Sequence, residues 1–212
     1  MRPAVRLPAL VLALLPLTQA RAHRLDEYLQ ATLIAITPDR VELELNLTPG
    51  VAVLPVVLFA IDTNSDGVIS DSEQHTYVRR VLNDLELQVD RERLALKVIR
   101  AEFPPVSDMK DGLGRIRIEI AADLPANRTG KHSLTFRNHH QPGISAWLVN
   151  CLAPSSGALT ISGQNRDYLQ SGIQVDYSLT PDSPPSRIPF WLGAAGISLL
   201  ARVALLSYRR ST

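Results

Sequence analysis

The sequence predicts a mainly β fold: an antiparallel, Ig-like β-sandwich with one inserted helix–loop–helix and a C-terminal transmembrane helix. Three observations carry this. Residues 41–47, 115–120 and 173–179 alternate apolar and polar side chains without a fault, the pattern of a strand with one wet face. Turn residues punctuate the chain at Thr37-Pro38-Asp39, Pro104-Pro105, Asp111-Gly112, Asn127-Arg128-Thr129-Gly130 and Ser155-Ser156-Gly157, as in sandwiches of short strands. One stretch, about 51–85, drops the alternation for a spacing of three to four, which is helical.

Composition sets the bounds. The chain has 212 residues, 45% of them hydrophobic, and a formal net charge of +1. That suits one folded domain and excludes a disordered chain. The single cysteine, Cys151, excludes an internal disulfide and any multi-cysteine metal site. Seven of the 22 basic residues (Arg2, Arg6, Arg21, Arg187, Arg202, Arg209 and Arg210) lie in the two ends, so the middle is acidic on balance. A nucleic-acid partner calls for the opposite sign.

Taken in order, residues 1–22 read as a signal peptide: Arg2 and Arg6 precede an apolar run over 7–17, and Ala20-Arg21-Ala22 forms a small-x-small cleavage site. The mature chain then begins at His23, and residues 23–179 form the periplasmic domain. Weaker strand patterns at 28–36, 94–103, 132–137, 144–152 and 158–163 bring the total to about eight. Within the insert, Val53, Leu54, Val57, Leu58 and Ile61 recur at helical spacing after Thr48 and Pro49, which suit a cap and a first turn. Tyr77, Val78, Val81, Leu82 and Leu85 mark a second amphipathic helix over roughly 71–85. Residues 180–187 form a proline-rich linker. Residues 188–208 are long enough, at ~1.5 Å per residue, to cross a bilayer core, with Trp191 and Tyr208 near the ends. Arg209-Arg210 then places tail 209–212 in the cytoplasm and the domain outside a bacterial inner membrane.

The loop between the two helices carries the chemistry. It reads Asp62-Thr63-Asn64-Ser65-Asp66-Gly67-Val68-Ile69-Ser70-Asp71-Ser72-Glu73. Counted from Asp62, oxygen-bearing side chains fall at positions 1, 3, 5, 9 and 12, with glycine at 6 and an aliphatic residue at 8. This is the EF-hand calcium loop. Ca2+ takes six to eight hard oxygens. Asp62, Asn64 and Asp66 offer side-chain oxygens, Val68 its carbonyl, Ser70 a hydroxyl acting directly or through water, and Glu73 a bidentate carboxylate. Magnesium is a competing ion for the same donors.

Other residues suggest less. A free His23 amine and imidazole, joined by His139 or His140, form a possible copper or nickel site, against the plainer reading of solvated loop histidines. His75 and His132 read as surface residues. Cys151, in an apolar strand, reads as a buried inert thiol. No serine lies in a nucleophile elbow, no glycine-rich phosphate loop exists, and no catalytic constellation is visible.

The runs His23-Arg24-Leu25-Asp26-Glu27-Tyr28-Leu29-Gln30-Ala31-Thr32 and Leu45-Asn46-Leu47-Thr48-Pro49-Gly50-Val51, with the loop 62–73, resemble a bacterial exported EF-hand family. They are also similar to the periplasmic N-terminal region of HupE/UreJ-type membrane proteins. Phe136-Arg137-Asn138-His139 and Trp147-Leu148-Val149-Asn150 fit the same resemblance, which spans 23–179. It implies an envelope protein that handles nickel or related metals beside a membrane partner. This chain departs from that family in having one terminal span where the HupE/UreJ-type proteins have a helix bundle, so transport would need a separate membrane transporter. The expectation is therefore a calcium-binding, membrane-anchored envelope protein whose single hand stabilises a binding domain. Alternatives are an accessory metal-delivery domain using His23, and a hydrolase with a site the sequence does not reveal.

Overall fold

The computed structural model describes residues 26–125, 129–154 and 157–180. The expected signal peptide, His23, residues 181–187 of the expected linker and the expected membrane span lie outside the described residues. Among those described, no helix is long and apolar enough to cross a membrane.

The described chain is mainly β, in two five-stranded sheets. The elements run β1 (Tyr28–Ile36), β2 (Arg40–Pro49), α1 (Leu54–Ile61), α2 (Asp71–Asn83), β3 (Leu85–Val89), β4 (Glu92–Arg93), β5 (Lys97–Glu102), α3 (Val106–Lys110), β6 (Ile116–Asp123), β7 (Gly130–Asn138), β8 (Ser145–Cys151), β9 (Leu159–Arg166) and β10 (Gly172–Leu179). One sheet has the order β5-β6-β2-β1-β8, the other β4-β3-β7-β10-β9. Alternation selects the inward residues: Val41, Leu43, Leu45 and Leu47 of β2 and Ile116, Ile118 and Ile120 of β6 meet Leu85, Leu87, Leu134, Phe136, Val175 and Tyr177 of the other sheet in one buried cluster. Each such side chain contributes about 1.5–3 kcal/mol by leaving water.

Three local departures from the sequence reading have physical causes. The β1–β8 pair is parallel, Tyr28 facing Ser145 and Ile34 facing Cys151; every other pair is antiparallel. Alternation carries no information on strand direction, so the purely antiparallel expectation missed this pair. Helix α1 begins at Leu54, because Thr48 and Pro49 remain in β2 opposite Leu29 and Tyr28; Pro55 then sits in the helix's first turn, where its missing N–H has no cost. Helix α2 ends at Asn83, and Leu85 opens β3. Leu85 satisfies both the helical spacing from Val81 and the period of two with Leu87 and Val89. Asp84 decides between them: its N–H folds back to Val81 O at 3.0 Å and its carbonyl accepts from His139 N at 2.8 Å. The hairpin from β3 to β4 turns on Asp90 and Arg91, both at positive φ (52° and 70°), as a two-residue turn that follows strand twist requires.

The strand registers place all three helices at one end of the molecule. Tyr28 faces Pro49 and Ser145, Glu102 faces Arg117, Leu85 faces Asn138, and Arg137 faces Gly172. Gln30 of the first sheet bonds Asn138 of the second across this end. The last residue of β10, Leu179, pairs with Gly130 at the opposite end.

Candidate functional site: the loop of residues 62–73 and a buried polar chain

The structure sets loop 62–73 between α1 and α2. Asp62 is the C-cap of α1, its N–H bonded to Leu58 O. Ser70 is the N-cap of α2 and forms a reciprocal capping box with Glu73, whose side chain bonds the Ser70 N–H. The backbone folds tightly in between. Gly67 takes φ +81°, a conformation that a side chain would strain, and Ser65 takes φ 59°. Asp62 Oδ2 accepts from Gly67 N at 2.9 Å and Oδ1 from Asp66 N at 3.2 Å. Asp66 Oδ1 accepts from Val68 N at 2.8 Å, and Asn64 Oδ1 from Asp66 N at 3.1 Å. These bonds tie the Asp62, Asn64 and Asp66 side chains to the loop's own backbone N–H groups. Val68 turns its side chain to solvent, and Ile69 packs against the core. Gln74, where an apolar residue would extend the helix face, instead donates Nε2–H to Ile69 O at 3.2 Å.

Glu73 is buried among donors. Its Oε1 accepts from Thr63 N (2.7 Å) and Oγ1 (3.0 Å), and its Oε2 from Ser70 N (3.0 Å) and Oγ (2.7 Å). The Ser70 bonds, aided by those from Thr63 and opposed by burial, lower its carboxyl to about 2. A carboxylate this well stabilised presents an anion to the loop at any physiological pH. The six expected ligands, Asp62, Asn64, Asp66, Val68, Ser70 and Glu73, thus lie on one turn-rich loop. Three carboxylates, an amide, a hydroxyl and a carbonyl fit a hard divalent cation in donor chemistry. As folded here, Glu73 is bonded to its own cap, and among the described residues no three His, Cys, Asp or Glu side chains converge closely enough to hold a metal.

A second polar assembly lies on the buried side of α2. Asp84 Oδ2 meets His140 Nδ1 at 2.7 Å, His140 Nε2 meets Tyr77 OH at 3.0 Å, and Tyr77 OH meets Tyr28 OH at 2.6 Å. His140 and both tyrosines are fully buried. Around them Gln30 Nε2 donates to His140 O (2.9 Å) and Ser145 Oγ (2.6 Å), Asn138 Nδ2 donates to Gln30 Oε1 (2.8 Å), and His140 N donates to Asn138 Oδ1 (2.9 Å). Burial lowers the His140 pKa despite the opposing effect of Asp84, and burial raises both phenols. An Asp–His–hydroxyl chain has the outline of a nucleophile's activating relay. Here the hydroxyl belongs to a tyrosine sealed under a second tyrosine, so no substrate reaches it.

His140 lies in the loop between β7 and β8 but is buried and not solvated, with its ring nitrogens bonded to Asp84 and Tyr77; His139 is exposed, and His23 lies outside the described residues. His75 is exposed as expected, while His132 is largely enclosed, with Nδ1 2.8 Å from Asp90 Oδ2. Cys151 is buried and its thiol is pushed up to about 12 by burial, far from a thiolate nucleophile. The sequence carried one overlooked signal of the polar chain: alternation in β1 puts Gln30 and Thr32 on the same inward face as Tyr28 and Ile34, and buried polar side chains require partners.

No family model matches the chain, and the comparisons with curated proteins and with solved structures found no match.

Proposed function

We propose that this chain is a bacterial envelope protein, anchored in the inner membrane through residues 188–208, whose periplasmic β domain binds calcium through a single EF-hand. The reading rests on one observation above the rest. The 12 residues with the calcium-ligand pattern are framed by the C-cap of α1 and the first turn of α2. Asp62, Asn64, Asp66, Ser70 and Glu73 would hold the ion with the Val68 carbonyl, and the ion would supply positive charge between the three carboxylates. The anchor and the signal peptide rest on sequence alone.

Calcium in this reading is a staple and not a switch. Leu54, Val57 and Ile61 of α1 and Tyr77, Val78 and Val81 of α2 are already buried in the common core, so no apolar groove waits between the helices. Lone extracellular modules bind at ~10⁻⁴–10⁻³ M. At free calcium 100 times the dissociation constant, binding adds about 2.7 kcal/mol to stability. Thermal melts of the full-length protein in calcium, in magnesium and in chelator test this. The melting temperature should rise with calcium and less with magnesium. Binding of a hydrophobic dye should stay at the baseline set by exposed groups such as Phe59, 82% accessible. An unchanged melting temperature in millimolar calcium overturns the site, and a large calcium-dependent rise in dye binding overturns the staple.

A further inference from the structure

The chain Asp84–His140–Tyr77–Tyr28 joins α2 to both sheets, and its hydrogen bonds have one consistent direction. Asp84 is a carboxylate, so His140 Nδ1 carries the proton that it donates at 2.7 Å. Neutral imidazole then has a bare Nε2, which accepts from Tyr77 OH at 3.0 Å. The Tyr77 oxygen in turn accepts from Tyr28 OH at 2.6 Å. Every member is satisfied, and the last donor, Tyr28, needs no further acceptor.

A proton added to His140 Nε2 reverses that order. Nε2 becomes a donor to the Tyr77 oxygen, Tyr77 must give its proton to the Tyr28 oxygen, and the Tyr28 proton then points into the core. Among the described residues Tyr28 OH has only Tyr77 as a hydrogen-bond partner, and its side chain is fully buried. An orphaned buried donor is unfavourable, and so is an imidazolium out of water. The groups facing His140 do not cancel this. From α2 come the Asp84 carboxylate, which favours the charge, the Arg80 guanidinium, which disfavours it, and neutral Tyr77. From β1 and the end of β7 come neutral Tyr28, Gln30 and Asn138, and from the start of β8 neutral Ser145. The way out is for Tyr77 to leave, which shifts α2. Tyr77 lies one turn after Glu73 on that helix, and Asp84 caps its end.

We propose that this chain is an acid-sensitive latch on α2: neutral His140 holds the helix in the register that positions Glu73, and protonated His140 releases it, so that calcium affinity falls in mild acid. Tyr77 and His140 are positioning residues, since neither reaches the ion. The proposal rests on the calcium reading of loop 62–73. Its sign follows from linkage. A histidine whose folded pKa lies below the unfolded value of about 6.5 gives stability that is complete above that value and is lost as pH falls from there toward the folded pKa. Glu73, held down to about 2 by its hydrogen bonds, stays ionised across this window.

The test is calcium titration of the full-length protein by calorimetry at pH 7.5, 6.5 and 5.5, with the His140 ring titrated by NMR. The wild type should lose severalfold in affinity from pH 7.5 to 5.5, less than the full coupling because the His140 midpoint lies below 6.5. Reciprocity requires that saturating calcium lower the His140 titration midpoint, by about one pH unit for a tenfold full coupling. His140→Asn keeps a donor toward Asp84 and cannot titrate, so its affinity should be flat with pH. Exposed His75, two residues from Glu73, stays in that variant, so a slope arising from His75 would survive. The NMR arm uses unmutated protein and decides the matter if the variant does not fold. Equal wild-type affinity at pH 7.5 and 5.5, a His140 midpoint that calcium does not move, or an undiminished slope in His140→Asn each overturns the latch and leaves the calcium site standing. No calcium binding at any pH overturns the site and the coupling with it.

Discussion

The two halves of α2 are held by polar groups of opposite kinds. At the N-terminal end, loop 62–73 leaves Asn64 and Asp66 exposed and buries Asp62 and Glu73 at its two edges, and each carboxylate oxygen of Asp62, Asp66 and Glu73 accepts from a loop N–H, a hydroxyl or the Asn64 amide. In the C-terminal half, His140, Tyr77 and Tyr28 are sealed from water and bonded in series. The difference fits the calcium reading of the loop. Side chains that would take up and release an ion do so on a loop open to water, where an unmade bond has little cost. Groups that fix a helix against two sheets are buried, where an unmade bond costs about 1–3 kcal/mol.

Substitutions can break that contrast. The largest effect should come from Tyr77→Phe. Loss of one hydroxyl leaves both His140 Nε2 and Tyr28 OH without a partner, and urea denaturation should show a loss of about 2–4 kcal/mol. A loss under 1 kcal/mol would mean that the chain is not held as described. Next comes Glu73→Gln, which should weaken calcium binding at least tenfold, or about 1.4 kcal/mol, in a calorimetric titration. Tyr28→Phe removes only the terminal donor and leaves the Tyr77 bond to His140 intact, so it should destabilise the protein by about 1 kcal/mol. A cost equal to that of Tyr77→Phe would show that the chain has no direction. Ser72→Ala, at an exposed position with no ligand role, should leave both stability and calcium affinity within about 0.5 kcal/mol of wild type.

The same contrast explains what could be read in the sequence. Period-two patterns mark β1, β2 and β5 to β10, and a spacing of three to four marks the two inserted helices, because burial on one face is a local, periodic property. The loop residues 62–73 were legible because consecutive residues of one short loop make the site. The polar chain was not, because its residues come from three separate places, Tyr28 from β1, Tyr77 and Asp84 from α2 and its cap, and His140 from the turn after β7, and meet only in the folded chain. The parallel pair was hidden for the same reason: β1 and β8 are more than a hundred residues apart, and neither carries a mark of its partner's direction. Leu85 was assigned to α2 because two periodicities overlap there, and only the tertiary bonds of Asp84 separate them.

One consequence of the β10 register concerns the membrane. β10 has 8 residues and runs away from the helical end, so at ~3.3 Å per residue its last residue lies about 23 Å from its first. If the chain is anchored through 188–208, as proposed above, its tether would leave from Leu179, at the end of β10 away from the loop of Asp62 and Glu73. The potential of anionic headgroups decays over about 8 Å at physiological salt. The loop would then sample the ion concentration of the bulk periplasm and not the cation layer that collects at the lipid surface. Changing headgroup charge would leave its occupancy unaltered.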